Sequence, residues 1–163
     1  MNDVIGARGE SRFLMLITEP HDGEQPIFRA QRLGDKWPAV DFLVELMGSD
    51  GVAGFFFVQV KTTRQGYTER DRRLKVTVPQ HTVARLASFP APTYVVGIDD
   101  VAGIGYVVSA NGERLTNVAS VPSDFPINRE NRERLWSEVR RYWSSRLPGS
   151  FTSVFNDPAW GMS

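Results

Sequence analysis

The sequence predicts an α/β domain in which a central mixed β-sheet is flanked by helices. Two observations carry this. Segments with a period of two alternate with segments of helical period, in the order helix, three or so strands, helix, two strands, helix. Turn-forming residues separate most of them. Such an order buries each amphipathic face by sandwiching the sheet between helices. At 163 residues the chain suits one domain with a single sizeable core. The expected division is one domain over residues 1–147 and a C-terminal tail over 148–163.

The first helix is expected from Asp3, as N-cap, to about Thr18. Glu10, Phe13, Leu14 and Ile17 recur at spacings that put them on one face, although FLMLIT alone would also suit a strand. EPHDGEQP (19–26) reads as a polar loop. IFRAQRL (27–33) alternates and runs into the turn GDKWP, and AVDFLVELM (39–47) is long and apolar. After the turn SDG (49–51), AGFFFVQVKTT (53–63) is the strongest β segment, and the short connection predicts an antiparallel hairpin with its predecessor. A basic stretch (64–73) precedes a short strand LKVTV (74–78). Pro79 then suits the first turn of a helix over 80–89. TYVVGID (93–99) and IGYVVSA (104–110) are two further strands. The last helix is expected over 128–147, with Leu135, Val139 and Tyr142 or Trp143 facing inward. The tail has no period but carries Phe151, Phe155 and Trp160, which suit docking on the domain or on a partner.

Composition excludes several chemistries. Hydrophobic residues make up 41% and charged residues 23%, the balance of a soluble globular protein. No apolar run approaches the roughly 18 residues of a membrane span, and MNDVIGARGE does not read as a secretion signal. With no cysteine, disulfides, thiolate metal sites and thiol nucleophiles are ruled out. The two histidines, His21 and His81, lie far apart and receive no role. A metal site here must therefore use oxygen ligands, which favours Mg²⁺ or Mn²⁺ over zinc. The expected compartment is the cytoplasm. The 19 basic and 19 acidic side chains cancel, so any grip on nucleic acid must be a local patch.

Three positions break their local pattern. Asp41 interrupts an apolar strand; in a regular strand it shares a face with Leu43 and Glu45, opposite Val40, Phe42, Val44 and Leu46. The bland alternative is a carboxylate on a solvated face near a strand end. Gln59 and Lys61 share a face at the end of their strand, and lysine is rarely buried without a partner. A strand emerging into solvent is the alternative there. Glu10 lies on the apolar helix face beside Gly6 and Gly9. Each helical glycine costs about 1 kcal/mol relative to alanine, so two in one turn point to a close backbone approach; the alternative is a frayed helix start. Brought together, Glu10, Asp41, the Gln59 amide oxygen and the Val60 carbonyl would form a hard oxygen site for Mg²⁺. The Lys61 ammonium beside it could orient an attacking water, accept a proton or offset charge on a phosphorane.

GARGE, then VDFLVEL, then FFFVQVKTT resemble the motifs of the PD-(D/E)xK, restriction-endonuclease-like superfamily, over about Gly6–Ala110. More narrowly they resemble an uncharacterised bacterial family that opens with GxxGE and carries QxK. The resemblance implies a restriction-endonuclease-like core, Asp41 as metal-binding aspartate, Lys61 as catalytic lysine and Glu10 as the helix glutamate. Gln59 stands where many members have a carboxylate, which lowers the site's negative charge. Beyond these, Arg64, Arg70, Arg72, Arg73 and Lys75 are candidates for gripping phosphates, although Glu69 and Asp71 dilute the stretch. Arg129, Arg132, Arg134, Arg140 and Arg141 interleave with Glu130, Glu133 and Glu138, which predicts a face that is mostly exposed and salt-bridged. Trp136, Tyr142 and Trp143 are expected as core or partner contacts.

The expected function is a Mg²⁺- or Mn²⁺-dependent nuclease acting on DNA, in phage defence or a mobile element. The alternative is an inactive nucleic-acid-binding or assembly module of the same fold. A weaker third possibility is a structural protein in which Asp41 and Lys61 form a salt bridge. The C-terminal helix and tail are candidate surfaces for a homodimer or protein partner.

Overall fold

A computed structural model describes residues 2–34, 36–49, 53–111, 118–145 and 152–160. The element order matches the expected one. Helix α1 (Asn2–Ile17) is followed by strands β1 (Phe28–Arg32), β2 (Phe42–Leu46) and β3 (Phe55–Thr63). Helix α2 (Gln80–Ala87), strands β4 (Thr93–Asp99) and β5 (Ile104–Ser109), and helix α3 (Arg129–Ser144) complete the chain. The strands form one five-stranded sheet in sequence order. β2 and β3 pair antiparallel as predicted, with Phe42 opposite Val58. Only β3 and β4 run parallel, joined by the crossover that contains α2.

Each face of the sheet has its own core. Phe42, Val44, Phe56, Val58, Tyr94 and Val96 pack against Phe13 and Ile17 of α1 and Leu135 and Val139 of α3. On the other face Phe57, Val95, Tyr106 and Val108 meet Val83 and Leu86 of α2, with Leu74, Val76, Val118 and Val121. β4 lies between both layers and is buried along its whole length, which is why it reads as a continuous apolar run. The outer edge of β5 is covered: Val107 N–H donates to Phe125 O, and Ile127 N–H to Gly105 O. Among the described residues, no helix is long and apolar enough to cross a membrane.

Several expectations are corrected. α1 starts at Asn2, so Asp3 lies inside the helix rather than capping it. LKVTV is not a strand of the sheet; Leu74 and Val78 form isolated bridges to Val121 and Val118 under the second face. α2 starts at Gln80 as expected, with Pro79 as its N-cap rather than within its first turn, and ends at Ala87 instead of Phe89. The α3 surface is not wholly exposed. The i,i+4 pairs Arg134–Glu130 and Arg129–Glu133 do lie outside, but Arg132 and Glu138 are buried. Arg132 donates to Leu16 O and reaches Glu19. Glu138 accepts from Tyr94 Oη, Ser153 Oγ and Val154 N–H, so it is an acceptor that fastens the tail to α3 and β4. Burial raises its pKa despite these donors.

The tail docks on the domain. Phe155 enters the first core and Trp160 the second, while Phe151 lies outside the described residues. Between them Asp157, 1% exposed, is ion-paired with Arg73. Removing one partner of a buried pair leaves a desolvated charge and costs about 3–5 kcal/mol. Arg73→Ala is therefore expected to lower the unfolding temperature sharply in a thermal melt. Arg73→Ala/Asp157→Asn should recover part of that loss, because no uncompensated carboxylate remains.

Candidate metal and phosphate site

The site lies where β2 stops and β3 runs on. β2 pairs with β3 only as far as Val58, so from Gln59 to Thr63 the β2 side of β3 is open. Asp41 immediately precedes β2 and departs from regular strand geometry. Its N–H donates to Val58 O at 2.9 Å, while its carbonyl accepts from Leu33 N–H at 2.9 Å. A regular antiparallel residue directs both groups to the same neighbour; Asp41 sends one to each. Ala39, two residues earlier, has a left-handed backbone with φ 72°. Together these interrupt the alternation, as a bulge does when it re-aims a side chain. Val40 consequently joins the second core instead of the face of Phe42 and Val44 expected from strict alternation.

The redirected carboxylate lies along the open edge of β3, where its Oδ2 accepts the Val60 N–H at 2.7 Å. Backbone groups of odd-numbered β3 residues face β4, as the Phe57 N–H to Pro92 O and Asp100 N–H to Thr63 O bonds show. Those of Val60 therefore face the Asp41 side, its carbonyl included. Gln59 is 8% exposed, and its Oε1 is buried with no hydrogen-bond partner. Such an orphaned acceptor is uncommon, since buried polar groups are nearly always paired. Lys61, half-buried, follows on the same face of the strand.

Glu10 arrives from the other face, on α1. Gly9 is what admits it: a Cβ there would lie 1.7 Å from Thr62 Oγ1 and 2.8 Å from Thr62 Cβ. The close approach inferred from the paired glycines thus applies to Gly9. At Gly6 a Cβ would meet nothing within 4 Å. Glu10 and Lys61 accordingly approach Asp41 from opposite faces, around the end of β2, and the site is at the rim of the sheet. The Asp41 carboxylate is within electrostatic reach of both Glu10 and Lys61. It forms no salt bridge with Lys61, so the simple structural pair is not present.

Electrostatics identify the carboxylates as costly. Burial raises the Glu10 pKa, the Asp41 charge raises it further, and Arg32 opposes both. Burial also raises that of Asp41, opposed by the Val60 N–H and by Lys61. Arg32 was not singled out by the sequence. Its Nη1 is 3.8 Å from Glu10 Oε1, its Nη2 donates to Ser11 Oγ at 3.3 Å, and it lies over the Phe42 ring. No spacing rule pairs an edge-strand arginine with a helix glutamate.

A pKa raised on folding means that the native state binds the proton more tightly than the unfolded chain does. The associated stability is complete below the ordinary carboxylate values and is lost as pH rises through the elevated ones. Without metal, Asp41 and Glu10 should therefore make the protein less stable at neutral pH than at mildly acidic pH. Asp41→Asn, which keeps an acceptor for Val60 N–H, is expected to raise the unfolding temperature at pH 7 and to weaken this pH dependence. Melts of both proteins across the acidic to neutral range check it.

The basic stretch is less available than its composition implied. Arg73 is committed to Asp157 and Ser120. Arg64 donates to Asp100 at 2.7 Å, and Arg8 of the GARGE segment reaches the same carboxylate at 3.3 Å. Arg72 covers the Tyr67 ring. Arg70 and Lys75 are exposed. His21 pairs with Glu133 and Asp22 on the α3 side, and His81 is exposed on α2.

Among the described residues, no group of three or more His, Cys, Asp or Glu side chains is placed to hold a metal ion. The oxygen donors near this strand end are the Glu10 and Asp41 carboxylates, the Gln59 amide oxygen and the Val60 carbonyl, with Glu10 and Gln59 on opposite faces of the sheet. All are hard oxygen donors of the kind Mg²⁺ and Mn²⁺ take, and the orphaned Gln59 Oε1 is an acceptor lacking a cation or donor. The residues fit such an ion in type. The fold and site thus define an α/β domain with paired carboxylates, an amide and a lysine at the rim of a mixed sheet. Comparison with protein-family models, curated proteins and solved structures gives no match.

Proposed function

We propose that this chain is a metal-dependent nuclease domain with a restriction-endonuclease-like core, hydrolysing DNA phosphodiester bonds. The observation that carries the reading is the Asp41 carboxylate, re-aimed onto Val60 N–H within reach of Glu10 and Lys61, beside the unpartnered Gln59 Oε1. Asp41, Glu10, Gln59 Oε1 and the Val60 carbonyl would hold Mg²⁺ or Mn²⁺. A bound ion would supply Lewis acidity and an activated water. Lys61 would offset charge developing on the phosphoryl oxygens and orient the attacking water. Arg32 balances the carboxylates from the α1 side, and Arg70 and Lys75 are the exposed members of the basic stretch left for phosphate contacts. In this reading the protein acts in the cytoplasm, on invading or mobile DNA.

The test is supercoiled plasmid, with single-stranded circular DNA beside it, incubated with Mg²⁺ or Mn²⁺. Native protein is expected to cleave at least one of them, and Asp41→Ala should lose at least about 100-fold of that activity. No cleavage by the native protein with either ion would assign the chain to the inactive module. The neutral Gln59 and the absence of a third carboxylate ligand among the described residues favour that second reading.

A further inference from the structure

We propose that Trp37 is a stacking platform for an unpaired nucleobase, and that the substrate strand is single-stranded or splayed where it crosses the site. This inference rests on the nucleic-acid reading above and specifies its substrate. Trp37 is the only exposed Phe, Tyr or Trp side chain among the described residues, at 46%. Its inner side is backed by Phe57, with ring centroids 5.9 Å apart and planes 31° from parallel. Phe57 is itself held between Phe55 and Phe89. The indole is therefore a firmly supported ring with one side open to solvent.

Its position links it to the candidate site. Phe57, Gln59 and Lys61 share one face of β3, and same-face neighbours on a strand are about 7 Å apart. Phe57 to Lys61 is two such steps, about 13 Å, so a base on Trp37 would belong to a nucleotide one or two removed from a phosphate at Lys61. The loop that presents the indole is also the one that re-aims Asp41. Trp37 N–H donates to Gly34 O, Val40 N–H donates to Trp37 O, and buried Val40 anchors the turn. Ala39 occupies the left-handed region there, which is unfavourable for a residue with a Cβ. Single exposed apolar side chains are common and need no explanation. A strained turn that holds a braced indole on the face of the candidate catalytic lysine is a more specific arrangement. Exposed Lys36 beside it suits the backbone phosphates. Bases inside a duplex are already stacked and cannot lie on a side chain unless extruded. The platform therefore selects unpaired bases.

Fluorescence anisotropy with a mixed-sequence oligonucleotide in Ca²⁺ tests this. Base–aromatic stacking predicts that Trp37→Ala weakens single-strand binding roughly 5- to 150-fold. Trp37→Phe should retain most of the affinity, and binding to a blunt duplex should change less than about twofold. An oligonucleotide abasic throughout should bind native protein as weakly as the normal one binds Trp37→Ala. Unchanged single-strand binding by Trp37→Ala, equal losses on single strand and duplex, or no single-strand binding by native protein would each overturn the proposal. Equal losses would assign the indole to packing or a protein partner. Failure of the nuclease reading is separable: a protein that binds single strands through Trp37 but cuts neither plasmid nor single-stranded DNA with Mg²⁺ or Mn²⁺ keeps this inference and loses the hydrolytic one.

Discussion

Lys61→Ala is expected to lower plasmid cleavage by about 10²- to 10⁴-fold, the range over which a positioned proton-transfer or charge-stabilising group acts. Metal binding should not fall with it. Lys61 lies within electrostatic reach of Asp41 without a direct salt bridge, so its removal takes away a positive charge that competes with a divalent ion. Mn²⁺ should bind the variant at least as tightly as the native protein. This pairing of lost turnover with retained or improved metal affinity separates a catalytic lysine from a structural one, whose loss would lower stability and metal affinity together. Lys61→Arg refines the assignment. A guanidinium keeps the charge but cannot give up its proton. Partial rescue would point to charge stabilisation, and no rescue to proton transfer. Single-turnover cleavage with calorimetric Mn²⁺ titration of all three proteins provides the readout.

Gly9→Ala is the second large effect. The added Cβ would fall 1.7 Å from Thr62 Oγ1 and 2.8 Å from Thr62 Cβ. Turning the threonine relieves the first clash but not the second, and β3 is held by β2 and β4 on either side. Helix α1 must therefore lift. Overpacking of this kind costs about 1–3 kcal/mol, or roughly 2–12 °C in unfolding temperature for a domain of this size. Because Glu10 follows Gly9 directly, the lift also withdraws a carboxylate from Asp41, and Mn²⁺ affinity should drop about tenfold or more. Gly6→Ala is the control. Its Cβ meets nothing within 4 Å, so the ordinary gain of up to about 1 kcal/mol for alanine over glycine in a helix should appear. Gly9→Ala/Thr62→Gly should regain much of the lost affinity, since it removes the atoms that collide.

Sequence patterning carried the fold further than the site. β3, β4 and β5 were legible because long runs of branched and aromatic residues have few alternatives to a strand buried on one or both faces. LKVTV has the same local character, yet it pairs only through isolated bridges. Whether a short β segment joins the sheet depends on partners distant in the chain. Arg73 and Arg132 are indistinguishable in sequence from surface arginines for the same reason. The carboxylate that neutralises Arg73 lies 84 residues away. At the site, residue types and spacing marked Glu10, Asp41, Gln59 and Lys61, and the paired glycines marked a close contact. Spacing did not reveal that only Gly9 makes it. Nor did it reveal that the chain leaves regular geometry at Asp41, which moved Val40 to the opposite core. Strand alternation is a rule for uninterrupted strands, and the interruption at Ala39 to Asp41 is where the acidic group is aimed.

In the proposed function Asp41, Glu10 and Gln59 hold a divalent cation at the end of β2. Calorimetric titration of metal-free protein with Mn²⁺, in buffers of different ionisation enthalpy, tests it most directly. Expected are saturable binding of a single ion, weaker binding on acidification with proton release where the carboxylates are still partly protonated, and at least about a tenfold loss in Asp41→Asn. Absence of saturable heat with the native protein, or an unchanged isotherm for Asp41→Asn, would contradict it.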